Sequence, residues 1–228
     1  RDMLRKIFTT LGFGASAMTP SEPPYTPYQS DAANEIYNLL FCDNLAAFKP
    51  KEGESAATWQ AVLFAEPADR SALLALANDV TQEGRIRYLS HARLRSLGEN
   101  PPAKVLLGVI VEVSLADGLD TLAAYSEGGV RYINHTGELV ISEGATDLAP
   151  HVQKLLAVSE PVVARIGPWK KPRRSPPESD NVRLTFLVSD GLYFGEGPMS
   201  MMQHEEMAGP VIQSATTLLQ AVVSVASK

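Results

Sequence analysis

The chain has 228 residues, of which 45% are hydrophobic, 20% charged and 7% aromatic, enough apolar material to bury a core and too much for a disordered polymer. Its net charge of −6 argues against a general nucleic-acid binder, because neutralising phosphates needs a basic surface. A single cysteine, Cys42, supports neither an internal disulfide nor a thiolate metal cluster, and the whole composition suits a cytoplasmic α+β protein.

Near the start, Arg5 and Lys6 precede an apolar stretch ending in Ala15-Ser16-Ala17, the outline of a secretory signal. Thr9, Thr10, Gly12 and Gly14 dilute that stretch, so the segment is read as retained, with Met3 as the native start. Gly12-Phe13-Gly14-Ala15-Ser16-Ala17 has the spacing of a dinucleotide fingerprint, but Pro20 and the prolines behind it block the helix that should hold a pyrophosphate. No window holds about 18 uninterrupted apolar residues, so no membrane span is expected. The richest run, Val105 to Val113, is strand length.

Four prolines within Thr19 to Pro27 and the pair ending Gly98 to Pro102 divide the chain into an extension (1–29), a mainly helical subdomain (30–100) and a sheet with two covering helices (101–228). Ser30 caps a helix carrying Ala32, Ile36, Leu39 and Leu40. Thr58 to Ala65, with Val62-Leu63-Phe64 at its centre, is too short to separate strand from helix. Pro67 and Asp69 open a helix through Leu73, Leu76 and Ala77; after a break at Gly84 another runs through Ile86, Leu89, Arg93 and Leu97.

Beyond Pro102 the period becomes that of strands. Val105, Leu107, Val109, Val111 and Val113 alternate with Leu106, Gly108 and Ile110, which places an apolar strand in the middle of a covered sheet. Thr121 to Ser126, Val130 to Asn134 and Glu138 to Ser142 continue it as a meander. Thr146 is expected to cap a helix that Pro161 stops, with Val162 to Ile166 a further strand. Pro168 to Asn181 reads as a loop, and Val182 to Val188 and Leu192 to Gly195 as a hairpin about Asp190-Gly191. A last helix begins near Pro210, and Ala208 to Ser227 carries no charge, which suits a covered surface or a subunit contact. The expected fold is therefore α+β: a mostly antiparallel sheet covered by helices near 147–159 and 208–226, with a largely helical N-terminal part alongside.

The run Gly118-Leu119-Asp120-Thr121-Leu122-Ala123-Ala124-Tyr125 followed by Arg131-Tyr132-Ile133-Asn134 resembles bacterial proteins of unknown function. The likeness extends over Leu106 to Trp169 and Gly191 to Pro198; it implies a bacterial origin and no activity, cofactor or site residue.

Chemistry has few footholds. There is no Walker-type loop and no Gly-x-Ser-x-Gly elbow, and His91, His135, His151 and His204 include no pair at i, i+4. Met199 to Met207 could offer soft ligands with His204, but methionines more often fill irregular apolar gaps. Glu112, in the central strand, needs a buried partner, and Arg165 in the expected strand after Pro161 is the candidate. Adding Arg131, His135 and Trp169 at the same sheet end makes a pocket for a small anion. Asp117 and Asp120 read as turn-formers more readily than as an acid and base working with Glu112 and His135 in a hydrolase. Lys170, Lys171, Arg173 and Arg174 are expected to face solvent, and Cys42 to be a buried small hydrophobe on a helix. These features favour a non-enzymatic interaction or scaffold protein, without metal or cofactor, that self-associates as a homodimer or binds a protein partner. The alternative is a small-anion module using Glu112, Arg131, His135, Arg165 and Trp169.

Overall fold

The strand-period segments form six strands: β1 (Leu106–Leu115), β2 (Gly118–Tyr125), β3 (Gly129–Ile133), β4 (Leu139–Glu143), β5 (Asn181–Val188) and β6 (Gly191–Pro198). They make one sheet in the order β4-β3-β2-β1-β5-β6, with every neighbouring pair antiparallel. This is a computed structural model, and it describes residues 24–101 and 104–226. The Gly12–Ala17 pattern, the Ala15-Ser16-Ala17 site and Pro102 lie outside the described residues. As its two-faced apolar pattern requires, β1 is central, pairing Glu112 with Thr121 of β2 on one side and Arg183 of β5 on the other.

One face of the sheet is covered by α5 (Ala149–Arg165) and α7 (Ala208–Ala226). Here the structure corrects two expectations. Thr146 does not cap α5, whose N-cap is Leu148, and Pro161 does not stop it. Val162 to Ile166 is therefore not a strand: the helix continues to Arg165 because Val152, Leu155, Val162 and Val163 form one buried stripe. Proline forfeits one backbone bond and crowds the carbonyl four residues back, a penalty outweighed by the burial of two valines. By length and composition α7 would pass for a membrane span, and it presents Val211, Ile212, Ala215, Leu218 and Val222 to the sheet and α5. Between β6 and α7, α6 (Met199–Met202) and the following turn pack Met199, Met202 and Met207 against this core.

The opposite face is covered by the N-terminal helices α1 (Asp31–Leu40), α2 (Thr58–Leu63), α3 (Arg70–Asn78) and α4 (Gly84–Ser96), so Thr58 to Ala65 resolves as helix. Ser30 and Asp69 accept from the Ala33 and Ala72 amides, capping α1 and α3 as their sequence positions suggest. Tyr37, Leu40, Leu73 and Leu89 pack in one cluster with Leu107, Ile110, Ala123 and Tyr125. These helices are thus a layer over the sheet with no separate core of their own, and the two C-terminal helices roof only one of its faces. Gly84 opens α4 where a Cβ would come within 2.3 Å of the Leu107 carbonyl oxygen, and Glu127 of the β2–β3 turn accepts from its amide at 2.6 Å.

Candidate functional site

The covered N-terminal face is crossed by residues 167–180, a strap running from α5 to β5. It is tied at its start by the Trp169 amide, which donates to the Leu192 carbonyl of β6 at 2.7 Å, while the Trp169 ring meets Phe194 edge-on at 4.7 Å. Gly191 makes room for this crossing: at φ +152°, with Pro168 2.9 Å from where a Cβ would stand, no larger residue fits unstrained.

Farther along, Arg173 turns into the protein. Its guanidinium donates to Asp43 at 2.7 Å and to Asn38 at 2.9 Å and lies 4.0 Å from the centre of the Phe41 ring, with Tyr25 and Tyr37 also in range. Burial opposes its charge, but the Asp43 carboxylate and the Tyr37 hydroxyl prevail and hold its pKa above the ordinary value. From below, Arg183 of β5 donates to the Ser175 carbonyl at 2.6 Å and the Arg174 carbonyl at 3.3 Å. Two arginines thus fasten the strap, one reaching down from it and one up to it.

Beneath lies a buried polar chain. Tyr37 donates to Glu112 at 2.7 Å, Arg183 stands 3.6 Å from the other Glu112 oxygen, and Arg183 also donates to Glu196 at 2.8 Å. Glu112 is fully buried and Arg183 nearly so. Burial raises the Glu112 pKa, opposed by the Arg183 charge and the Tyr37 hydrogen bond.

Between α1, α4 and the strap runs a groove of about 910 Å³. Asp31 and Glu35 of α1 give it an acidic wall, Lys170 and Lys171 of the strap a basic one, and Tyr88, Trp169 and Leu192 an apolar lining. Arg95 of α4 also lines it, stacked 5.4 Å from the Tyr88 ring and donating to the Ser189 carbonyl. Cys42 sits just past the end of α1 in the left-handed conformation, with φ at 54°. It lines the groove with a buried thiol whose pKa burial pushes far up. The groove offers charge, hydrogen bonds and aromatic surface, which is binding chemistry.

The structure does not gather the expected anion pocket. Glu112 pairs with Arg183, while Arg165 ends on the opposite side of the sheet, exposed, its guanidinium 3.4 Å from the Met207 sulfur, because α5 carries it past Pro161. Arg131 of β3 is buried between Glu83 and Glu143, 3.0 Å from each, with its guanidinium 5.5 Å from the Tyr125 ring. His135 is exposed in the β3–β4 turn, its ring nitrogens 3.6 Å from Asp120 and 3.8 Å from Asp117. Glu112 is enclosed within the core, away from that exposed turn. Of the five residues, Trp169 alone lines the groove. Among the described residues no set of three His, Cys, Asp or Glu side chains is arranged to hold a metal ion.

Sequence reasoning missed Arg173 and Arg183. Arg173 sits in a basic run in a proline-rich loop, where all four cations were expected in solvent; it is nine-tenths buried because Phe41, Tyr25 and Asp43 receive it. Arg183 carried a readable signal, a cation between Val182 and Leu184 in an apolar strand. Comparison of the chain with protein families, with characterised proteins and with solved structures finds no match in any of the three.

Proposed function

We propose that this chain is a non-enzymatic interaction protein that takes a short extended segment of a protein partner in the groove between α1, α4 and the strap. The observation that carries this reading is the pairing of an acidic wall, Asp31 and Glu35, with a basic wall, Lys170 and Lys171, over Trp169 and Tyr88 in a single cleft. A small anion would use the basic wall and be repelled by the other, whereas a polypeptide presents charges of both signs along its length. The fastening of the strap by Arg173 and Arg183 supports the same reading, since a wall held in place costs less ordering on binding.

Selection from a displayed peptide library tests it. The wild-type chain should enrich peptides with an aromatic or large apolar residue flanked by opposite charges, and Trp169→Ala or the pair Lys170→Glu, Lys171→Glu should weaken their binding by about tenfold or more. No enrichment, or peptides indifferent to these variants, overturns the groove as the docking site. Stabilisation by small anionic metabolites, lost in the lysine variant, would favour the small-ligand alternative.

A further inference from the structure

The two edges of the sheet are treated differently. The β6 edge is blunted: Trp169 of the strap bonds to Leu192, and the strand contains Gly191, Gly195 and Gly197 and ends in Pro198. The β4 edge, among the described residues, is open. Its sequence Leu139-Val140-Ile141-Ser142-Glu143 contains no glycine, proline or lysine, and Leu139 and Ile141 are 38% and 46% exposed. Because the Glu138 carbonyl accepts from the amide of Asn134, just past the end of β3, alternation turns the backbone groups of Val140 and Ser142 toward β3 and those of Leu139, Ile141 and Glu143 outward.

We infer that β4 pairs antiparallel with β4 of a second copy of this chain, joining two six-stranded sheets across a two-fold axis. The strand is self-complementary in one register, centred on Val140. That register sets Leu139 opposite Ile141 of the second copy and Ile141 opposite Leu139 of the second copy, so four half-exposed apolar side chains meet on one face. The residues so opposed are those whose backbone groups point outward, and they exchange hydrogen bonds across the axis. Glu138 falls opposite Ser142 and Glu143 opposite Gly137, so no carboxylate faces another. Leu139 and Ile141 thus meet apolar side chains and each carboxylate meets an uncharged residue, and this match of the strand to its own sequence assigns the occupant as a second copy. The contact is separate from the groove and leaves it free.

Sedimentation velocity of the full chain over a range of concentrations tests the pairing, together with hydrogen exchange of the edge amides. The wild type should pass from monomer to dimer as concentration rises, with the Leu139 and Ile141 amides gaining protection in step. Ile141→Lys, at a solvent-facing position, should move the transition to about tenfold higher concentration or more, since the loss is counted twice across the axis. Should that variant fold poorly, the wild-type exchange data decide alone. A wild-type chain that is monomeric throughout with freely exchanging edge amides overturns the inference, as does a dimer in which those amides stay unprotected. A monomer whose edge is protected only by added foreign strands overturns the self-pairing and gives the edge a different occupant.

Discussion

The two faces of the sheet bury similar numbers of side chains by different means. Under α5 and α7 the strands present Val109, Val111, Leu122, Ala124, Leu184 and Phe186, and their contacts there are apolar. Under the N-terminal helices, Leu107, Ile110, Ala123 and Leu187 are interleaved with buried Glu112, Thr121, Arg131 and Arg183. An apolar layer asks only for shape and volume and tolerates small shifts of the helices above it. A layer with a buried carboxylate is less forgiving, because a displaced α1 would strip Glu112 of Tyr37 and leave an unpaired polar group in the core. The polar face therefore sets the position of α1 and the strap, and it is these that shape the groove.

The contrast can be broken most sharply at Arg183. Arg183→Met should destabilise the fold by about 3 to 5 kcal/mol in urea denaturation, since it leaves Glu112 buried and uncompensated. Adding Glu112→Leu removes the unpaired carboxylate and should recover part of that loss, the Tyr37 hydroxyl then lacking its acceptor, while the strap stays untied at Ser175, so stability rises and peptide binding in the groove does not. On the apolar face the comparable change, Leu155→Ala, should cost about 2 to 5 kcal/mol by leaving a cavity, with no second substitution that separates stability from binding. Equal rescue of both properties in the double variant would mean that the polar chain does not position the strap.

Acid should probe the polar face next. His91, on α4, is buried, and burial together with the Arg95 and Arg87 charges pushes its pKa down to about 4 from 6.5. A histidine held neutral in the fold contributes stability that is complete above pH 6.5 and is lost as pH falls toward 4, by up to about 3 kcal/mol. Glu112 acts in the opposite direction: with its folded pKa raised above 4.5, its contribution is complete below that pH and fades as pH rises through the folded value. Denaturation at stepped pH should show His91→Leu flattening the acid limb. An unchanged limb would place the proton uptake elsewhere.

These polar partners mark where sequence reading stopped. Alternation of side chains was legible from Val105 onward, and with it the antiparallel meander and the Asp190-Gly191 hairpin, because a period of two is written locally. Which face each helix covers was not, since β1 is apolar on both sides. Glu112 was legible as a buried charge in need of a partner, but Arg165 between Ala164 and Ile166 and Arg183 between Val182 and Leu184 carry the same local signal. Only the path of the chain after Pro161 decides between them. The groove was invisible except at Trp169, because its walls come from α1, α4 and the strap, segments far apart in sequence.

The smallest effect belongs to Pro161 itself. It is exposed on α5, and its missing amide leaves the Ala157 carbonyl without its helical donor. Pro161→Ala restores that donor and relieves the crowding, while giving up the restriction proline places on the unfolded chain, about 0.4 to 1 kcal/mol. The net should be a stabilisation of about 1 kcal/mol, seen as a rise in Tm. If the variant is instead less stable, Val162 and Val163 need the bend that proline imposes in order to seat against the sheet. The apolar face would then depend on one particular backbone shape as closely as the polar face depends on its charges.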